Sequence, residues 1–129
     1  MKFICLGYYD EASWVGKSEG EMQSFMDACF AYDQQLRESG CWAGGDALMS
    51  PKQAVTVRMK NGAPSATDGP FTETKEQIGG VLYLEARDLD HAIALISAHP
   101  GVQAGPFEIR AVNEQFPEVF AQWLASKKK

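Results

Sequence analysis

No stretch of the 129 residues approaches the roughly 20 consecutive apolar residues that a membrane span needs. Positive charge is also in short supply. Twelve Lys and Arg stand against 17 Asp and Glu, a formal net charge of −5, and the only basic run is Lys127-Lys128-Lys129 at the tail. Nucleic-acid binding depends on clustered Lys and Arg, so no such partner is expected. The two histidines, His91 and His99, show neither HxH nor HExxH spacing, which argues against a metal site. The three cysteines, Cys5, Cys29 and Cys41, are odd in number and lack a CxxC pair, so reduced thiols are expected. There is no P-loop, no GxGxxG and no GxSxG elbow. Nucleotide phosphates have no obvious cradle, an ordinary serine hydrolase is disfavoured, and no cofactor is expected. The opening Met1-Lys2-Phe3-Ile4 begins a strand pattern rather than the charged-then-apolar pattern of a signal peptide, so a cytoplasmic location is expected.

What is present is the ordinary balance of one globular domain, 45% hydrophobic and 22% charged. Residues 2–9 alternate Ile4, Leu6 and Tyr8 against Phe3, Cys5 and Gly7, and neither face is strongly polar; this predicts a central strand buried on both sides. Ser18 and Glu21 form a capping box, and Met22, Phe25, Met26, Cys29 and Leu36 then recur at helical spacing, predicting a helix over 19–39 that Gly40 stops. Val55, Val57 and Met59 alternate with polar residues before Asn61-Gly62, a strong hairpin signal, with a return strand over 63–67. Residues 81–86 form an apolar strand preceded by Gly79-Gly80, where a bulge or a close backbone approach is expected. Asp88 caps a second helix with Leu89, Ala92, Ile93 and Ile96 facing the core, ending at His99-Pro100-Gly101. Phe107, Ile109 and Ala111 mark a last strand with one wet side, and Phe116, Val119, Phe120, Trp123 and Leu124 form the stripe of a terminal helix.

Strand, helix, hairpin, strand, helix, strand and an extra helix describe an α+β, ferredoxin-like fold: an antiparallel sheet with two helices on one face, an inserted hairpin and a C-terminal helix. A single domain over 1–129 is expected, its core at about 1–113 and its terminal helix at about 114–126. The helix-free face carries apolar residues and needs cover, and a second copy, giving a homodimer, is the simplest supply. The terminal helix either folds back over that face or lies across the partner.

The segment Thr67-Asp68-Gly69-Pro70-Phe71-Thr72-Glu73-Thr74-Lys75-Glu76-Gln77-Ile78-Gly79-Gly80 resembles the signature of the DGPF subgroup of YCII-related proteins. The Leu36-Arg37-Glu38-Ser39-Gly40, Asp88-Leu89-Asp90 and Phe107-Glu108-Ile109-Arg110 segments are similar as well, so the resemblance spans nearly 1–113. It implies a dimeric α/β barrel of ferredoxin-like subunits, a superfamily that includes small isomerases, monooxygenases and dehydrochlorinases. It also implies a regulatory setting beside extracytoplasmic-function sigma factors. Better-characterised members pair a histidine on helix one with an aspartate before the proline that ends helix two. Counted back from Gly40, that histidine position falls near Cys29 here, and the aspartate position holds His99. The pair is therefore not carried over.

The candidate catalytic residues are His99 and Asp68. A histidine near a helix C-terminus titrates close to neutral pH and suits a general base, although it could equally cap the last carbonyls. Asp68 lies at a turn rigidified by Gly69-Pro70, where it either bonds the backbone two residues on or offers a carboxylate to a cleft. Glu73 and Lys75 share its loop and are candidate ligand-binding residues. Tyr8 and Trp14 join them as aromatic rings suited to lining a small-molecule pocket or to plain packing. Cys29, on an apolar stripe, reads as a small hydrophobe. Two functions follow. One is a small-molecule-binding or accessory module; the other is a cofactor-free lyase or isomerase acting on a small organic acid, with His99 as base and Asp68 or Lys75 orienting it.

Overall fold

The elements follow from the alternation and the caps in the chain; the computed structural model that shows them describes residues 1–128. Strand β1 (Lys2–Tyr9) lies in the middle of a four-stranded sheet, paired antiparallel to β5 (Gln77–Glu85) on one side and to β6 (Phe107–Ala111) on the other. Helix α1 (Glu19–Glu38) starts at the expected capping box, with Ser18 Oγ accepting from the Glu21 N–H. Helix α2 (Leu89–Ser97) starts at Asp88, whose Oδ1 accepts from the His91 N–H at 2.8 Å. A third helix, α3 (Phe116–Ser126), follows β6. No helix among the described residues is long and apolar enough to cross a membrane. Lys129, the last residue of the basic tail, lies outside the described residues.

One strand was not foreseen. Between α1 and the hairpin, β2 (Trp42–Ala47) pairs antiparallel with β5 and completes the order β2-β5-β1-β6. Trp-Ala-Gly-Gly-Asp-Ala has neither alternation nor strand propensity, so its extended form is set by the partner edge. The register slips between Trp42 and Gly44, and Gly44 adopts φ 135°, with the Tyr83 ring 3.2 Å from where a Cβ would stand. Strands β3 (Val55–Lys60) and β4 (Ala63–Asp68) form their own two-stranded sheet around Asn61-Gly62, both at positive φ as this turn requires. The second expected irregularity is present too. The β1–β5 register shifts at Gly7/Tyr8, opposite Gly79, and a Cβ on Gly79 would sit 2.5 Å from the Tyr9 ring.

The core fills one face of the sheet. Phe3 and Cys5 of β1 and Leu82 and Leu84 of β5 pack with Leu36 of α1 and with Ala92 and Ile96 of α2. Helix α2 is short, and only its Ala92–Ile96 row is buried; Leu89 and Ile93, expected in the core, are 50% and 44% exposed. By the strand pleat, Ile4, Leu6, Val81 and Tyr83 point to the opposite face, where no helix buries them and they stay half-exposed. No residue of α3 is buried, and its Phe116, Val119, Phe120 and Trp123 are all more than half exposed. Val55, Val57 and Met59 of the hairpin are equally open.

Leu84 has no exposed surface. Leu84→Ala should cost about 2–5 kcal/mol of unfolding free energy, measured by urea denaturation. Burial pushes the Cys5 thiol up to about 11. The folded chain thus keeps this proton while the unfolded chain releases it, and stability should fall as pH climbs from the ordinary thiol range, near 8.5, to about 11. Cys5→Ala should lack that share of the alkaline decline.

Candidate active site

A cavity of about 950 Å³ opens between α1, from Met22 to Arg37, strand β2, the C-terminal end of β1, the middle of β5, and the turn that follows α2. That size suits a small-molecule site. Its wall is largely aromatic and apolar: Trp14, Phe25, Met26, Phe30, Trp42 and Phe107 all contribute. The Met22, Phe25 and Met26 part of the α1 stripe, which reads as core in the sequence, thus faces the cavity, and burial on α1 is confined to Cys29 and Leu36. Trp14 stacks at a tilt on Phe25, centroids 5.1 Å apart, and its buried Nε1–H has no partner among the described residues.

The polar centre is built by the break that ends α2. Pro100 stops the helix and begins a short 3₁₀ turn over Pro100–Gln103. His99 is the cap of that turn rather than of the helix before it: its Nδ1 accepts from the Gly101 N–H at 2.9 Å. The approach is tight enough that a Cβ on Gly101 would lie 3.0 Å from Nδ1. The imidazole is 7% exposed, with Tyr32 edge-on at 5.2 Å and Phe107 tilted at 5.8 Å. Since Nδ1 accepts, Nε2 holds the ring proton, and it donates to Asp33 Oδ1 at 2.8 Å. Tyr32, one residue before Asp33 on α1, donates its hydroxyl to the Leu95 carbonyl of α2 at 2.6 Å and so fixes the two helices against each other.

Asp33 Oδ2 makes no hydrogen bond among the described residues, and Asp33 borders the cavity with its side chain 20% exposed. One turn earlier, Cys29 lines the same wall. Burial, and then the charge of Asp33, push its thiol above the ordinary cysteine range, which makes it a poor thiolate nucleophile. Tyr9 is likewise pushed up, by burial and then by Glu11, to which its hydroxyl donates at 3.4 Å.

Of the residues singled out in the sequence, Tyr8, Trp14 and His99 border this cavity together. The Tyr8 hydroxyl is turned to Glu108 Oε1 at 3.3 Å. Asp68 is exposed at the end of β4 and does not border the cavity, and its side chain makes no hydrogen bond among the described residues. The turn after it is closed instead by Gly69 N–H to the Ala54 carbonyl and by Thr56 Oγ1 to the Gly69 carbonyl. Glu73 and Lys75 are exposed and also outside the cavity wall; Lys75 Nζ lies 3.7 Å from Asp10 Oδ2. Among the described residues there is no cluster of His, Cys, Asp and Glu suited to a metal.

Asp33 was missed, although a signal existed: it interrupts the apolar stripe one turn after Cys29 and nearly one before Leu36. The carboxylate–imidazole pair absent from the expected positions is therefore present with the elements exchanged, the carboxylate on α1 and the imidazole before the proline.

Comparison with known proteins found three similarities. A solved structure from Burkholderia phenoliruptrix AC1100, a 5-chloro-2-hydroxyhydroquinone dehydrochlorinase in complex with 2,5-dihydroxybenzoquinone, is 17% identical with a TM-score of 0.48, over 88% of this chain and 94% of that one. An uncharacterized protein, R00369, of Rhizobium meliloti (strain 1021) is 31% identical over 114 residues, 85% of this chain and 90% of that protein. The model of the YCII-related domain matches residues 1–115. By the extent of that match and the identity to the Rhizobium protein, the chain belongs to the YCII-related family.

Proposed function

We propose that the cavity is a cofactor-free acid/base site that moves a proton on a small, largely apolar carbonyl compound, in an isomerisation or an elimination. The observation that supports this best is the division of labour at Asp33: Oδ1 is held by the His99 Nε2–H at 2.8 Å and Oδ2 is left without a partner beside the cavity. Both nitrogens of His99 are engaged, so the imidazole suits positioning, and the free carboxylate oxygen suits proton abstraction. Oδ2 takes a proton from the carbon next to the carbonyl, and the C–H electron pair moves into the C–C–O system as an enolate. Return of the proton at another carbon completes an isomerisation. Departure of a leaving group with its electron pair from the adjoining carbon completes an elimination. The apolar wall lowers the local polarity around a bound compound and so strengthens the electrostatic contacts within. The Thr67–Gly80 segment supports membership of the DGPF subgroup, and three free thiols support a reducing compartment.

The chain is also proposed to act as a homodimer. A lone 11-residue helix and a lone two-stranded hairpin are each marginal in water. Both carry open apolar rows here, as does the helix-free side of the sheet, and a second copy that covers them satisfies all three at once. Light scattering coupled to gel filtration at micromolar concentration should give twice the chain mass of 14.2 kDa. Leu6→Glu should shift it to the monomer, and a monomeric wild type would dispose of this assembly.

For the chemistry, a panel of enolisable carbonyl compounds is incubated with the protein in D2O and followed by proton NMR. Exchange above the buffer rate is expected for at least one of them, falling about 10²–10⁴-fold in Asp33→Asn and less in His99→Gln. Exchange that is indifferent to Asp33→Asn removes Asp33 as the base; exchange absent throughout while the compounds bind removes the enzymatic reading and leaves a binding or accessory module, the setting that the sigma-factor resemblance implies.

A further inference from the structure

Asp33 and Arg37 stand one turn apart on α1, both bordering the cavity, yet they are not paired with each other. Opposite charges at this spacing ordinarily attract. Here each is held elsewhere: Asp33 Oδ1 takes the His99 Nε2–H, and the Arg37 guanidinium lies over the Trp42 ring, 4.6 Å from its centroid. Among the described residues Arg37 makes no salt bridge and no side-chain hydrogen bond, so its fork of donors is unspent. It is also the only Lys or Arg on the cavity wall among the described residues. The other charged groups there, Glu11 and Asp46, are acidic, and Glu11 is already approached by Lys52 at 3.8 Å. An anionic group entering the cavity therefore meets a single cation on its described wall.

Along α1 the cavity wall runs from apolar (Met22, Phe25, Met26, with Trp14 beside them) through the carboxylate of Asp33 to the guanidinium of Arg37. We infer that the substrate is an oxo acid with an apolar or aryl tail, bound lengthwise on α1, its carboxylate on Arg37 and its acidic carbon at Asp33. This rests on the proton-transfer reading of Asp33. One helical turn rises about 5.4 Å, a gap that a carboxylate and an acidic carbon two bonds apart can bridge with a contact at each end. The Trp42 ring holds the guanidinium carbon at 4.6 Å, and a guanidinium fork suits a two-pronged grip on a carboxylate better than a single-point contact. The tail then meets the Trp14 end of the cavity.

Phenylpyruvate and its methyl ester are the probes, with affinity read by calorimetry and hydrogen exchange at C3 by NMR in D2O. The wild type should bind the acid at least about tenfold more tightly than the ester, the worth of a charge-assisted contact. Arg37→Gln should erase that difference by weakening the acid alone, and Arg37→Lys should restore part of it. Asp33→Asn should keep the preference for the acid and lose exchange. An ester bound as tightly as the acid, an acid affinity unmoved by Arg37→Gln, or no binding of phenylpyruvate overturns the assignment of Arg37. Preference for the acid without exchange leaves Arg37 in place and removes only the catalytic role of Asp33. Melting temperatures of the variants matching the wild type confirm that the effects are local.

Discussion

The site depends on one hydrogen bond, from the His99 imidazole to the Asp33 carboxylate, because that bond joins two elements that have no covalent reason to meet. Asp33 is set by the register of α1 and His99 by the point at which α2 stops. The bond forms only if the two helices lie correctly on the same face of the sheet. The Tyr32 hydroxyl on the Leu95 carbonyl secures that relation from the α1 side, and the Gly101 N–H on Nδ1 secures the ring orientation from the other. Removing either partner of a nearly buried polar pair leaves the other unsatisfied, which is why such pairs are held from several directions.

The fold shows a division between surfaces that the chain satisfies itself and surfaces that it leaves open. Its core is one-sided: Phe3, Cys5, Leu82 and Leu84 meet the helices, while Ile4, Leu6, Val81 and Tyr83 on the reverse of the same strands do not. The apolar rows of α3 and of the hairpin add to this surplus. A net charge of −5 makes copies of the chain repel one another, while these apolar rows stay open on the single chain.

Much of the architecture was legible because it is written locally. The Ser18 capping box, the Asp88 cap, the Asn61-Gly62 turn and the Gly79 irregularity each depend on neighbours in sequence and appear where expected, whereas β1, expected to be buried on both sides, is covered on its Phe3–Cys5 side alone in the single chain. Strand β2 was illegible because its extended form is imposed by β5 and not by its own glycine-rich residues. Leu89 and Ile93 misled because periodicity tells which residues are apolar and not how wide a stripe the sheet can cover. The site was half legible for a related reason. His99 is conspicuous beside Pro100, but Asp33 becomes meaningful only once the helices are packed, and Asp68, in a loop that draws the eye, sits away from the cavity.

Pro100 has a consequence that reaches beyond local geometry. A residue that precedes proline is confined to extended backbone, and His99 accordingly has φ −73° and ψ 130°. Only two residues, Ala98 and His99, then separate the last residue of α2 from the first of the next turn, and Ile96, a member of the core, lies three residues before His99. The imidazole of the candidate site and a part of the core therefore share the same short piece of chain. A change that loosens the packing of Ile96 or Ala92 would misalign the imidazole well before the domain melts, so drift in this core would disturb the His99–Asp33 pair first and the fold only afterwards.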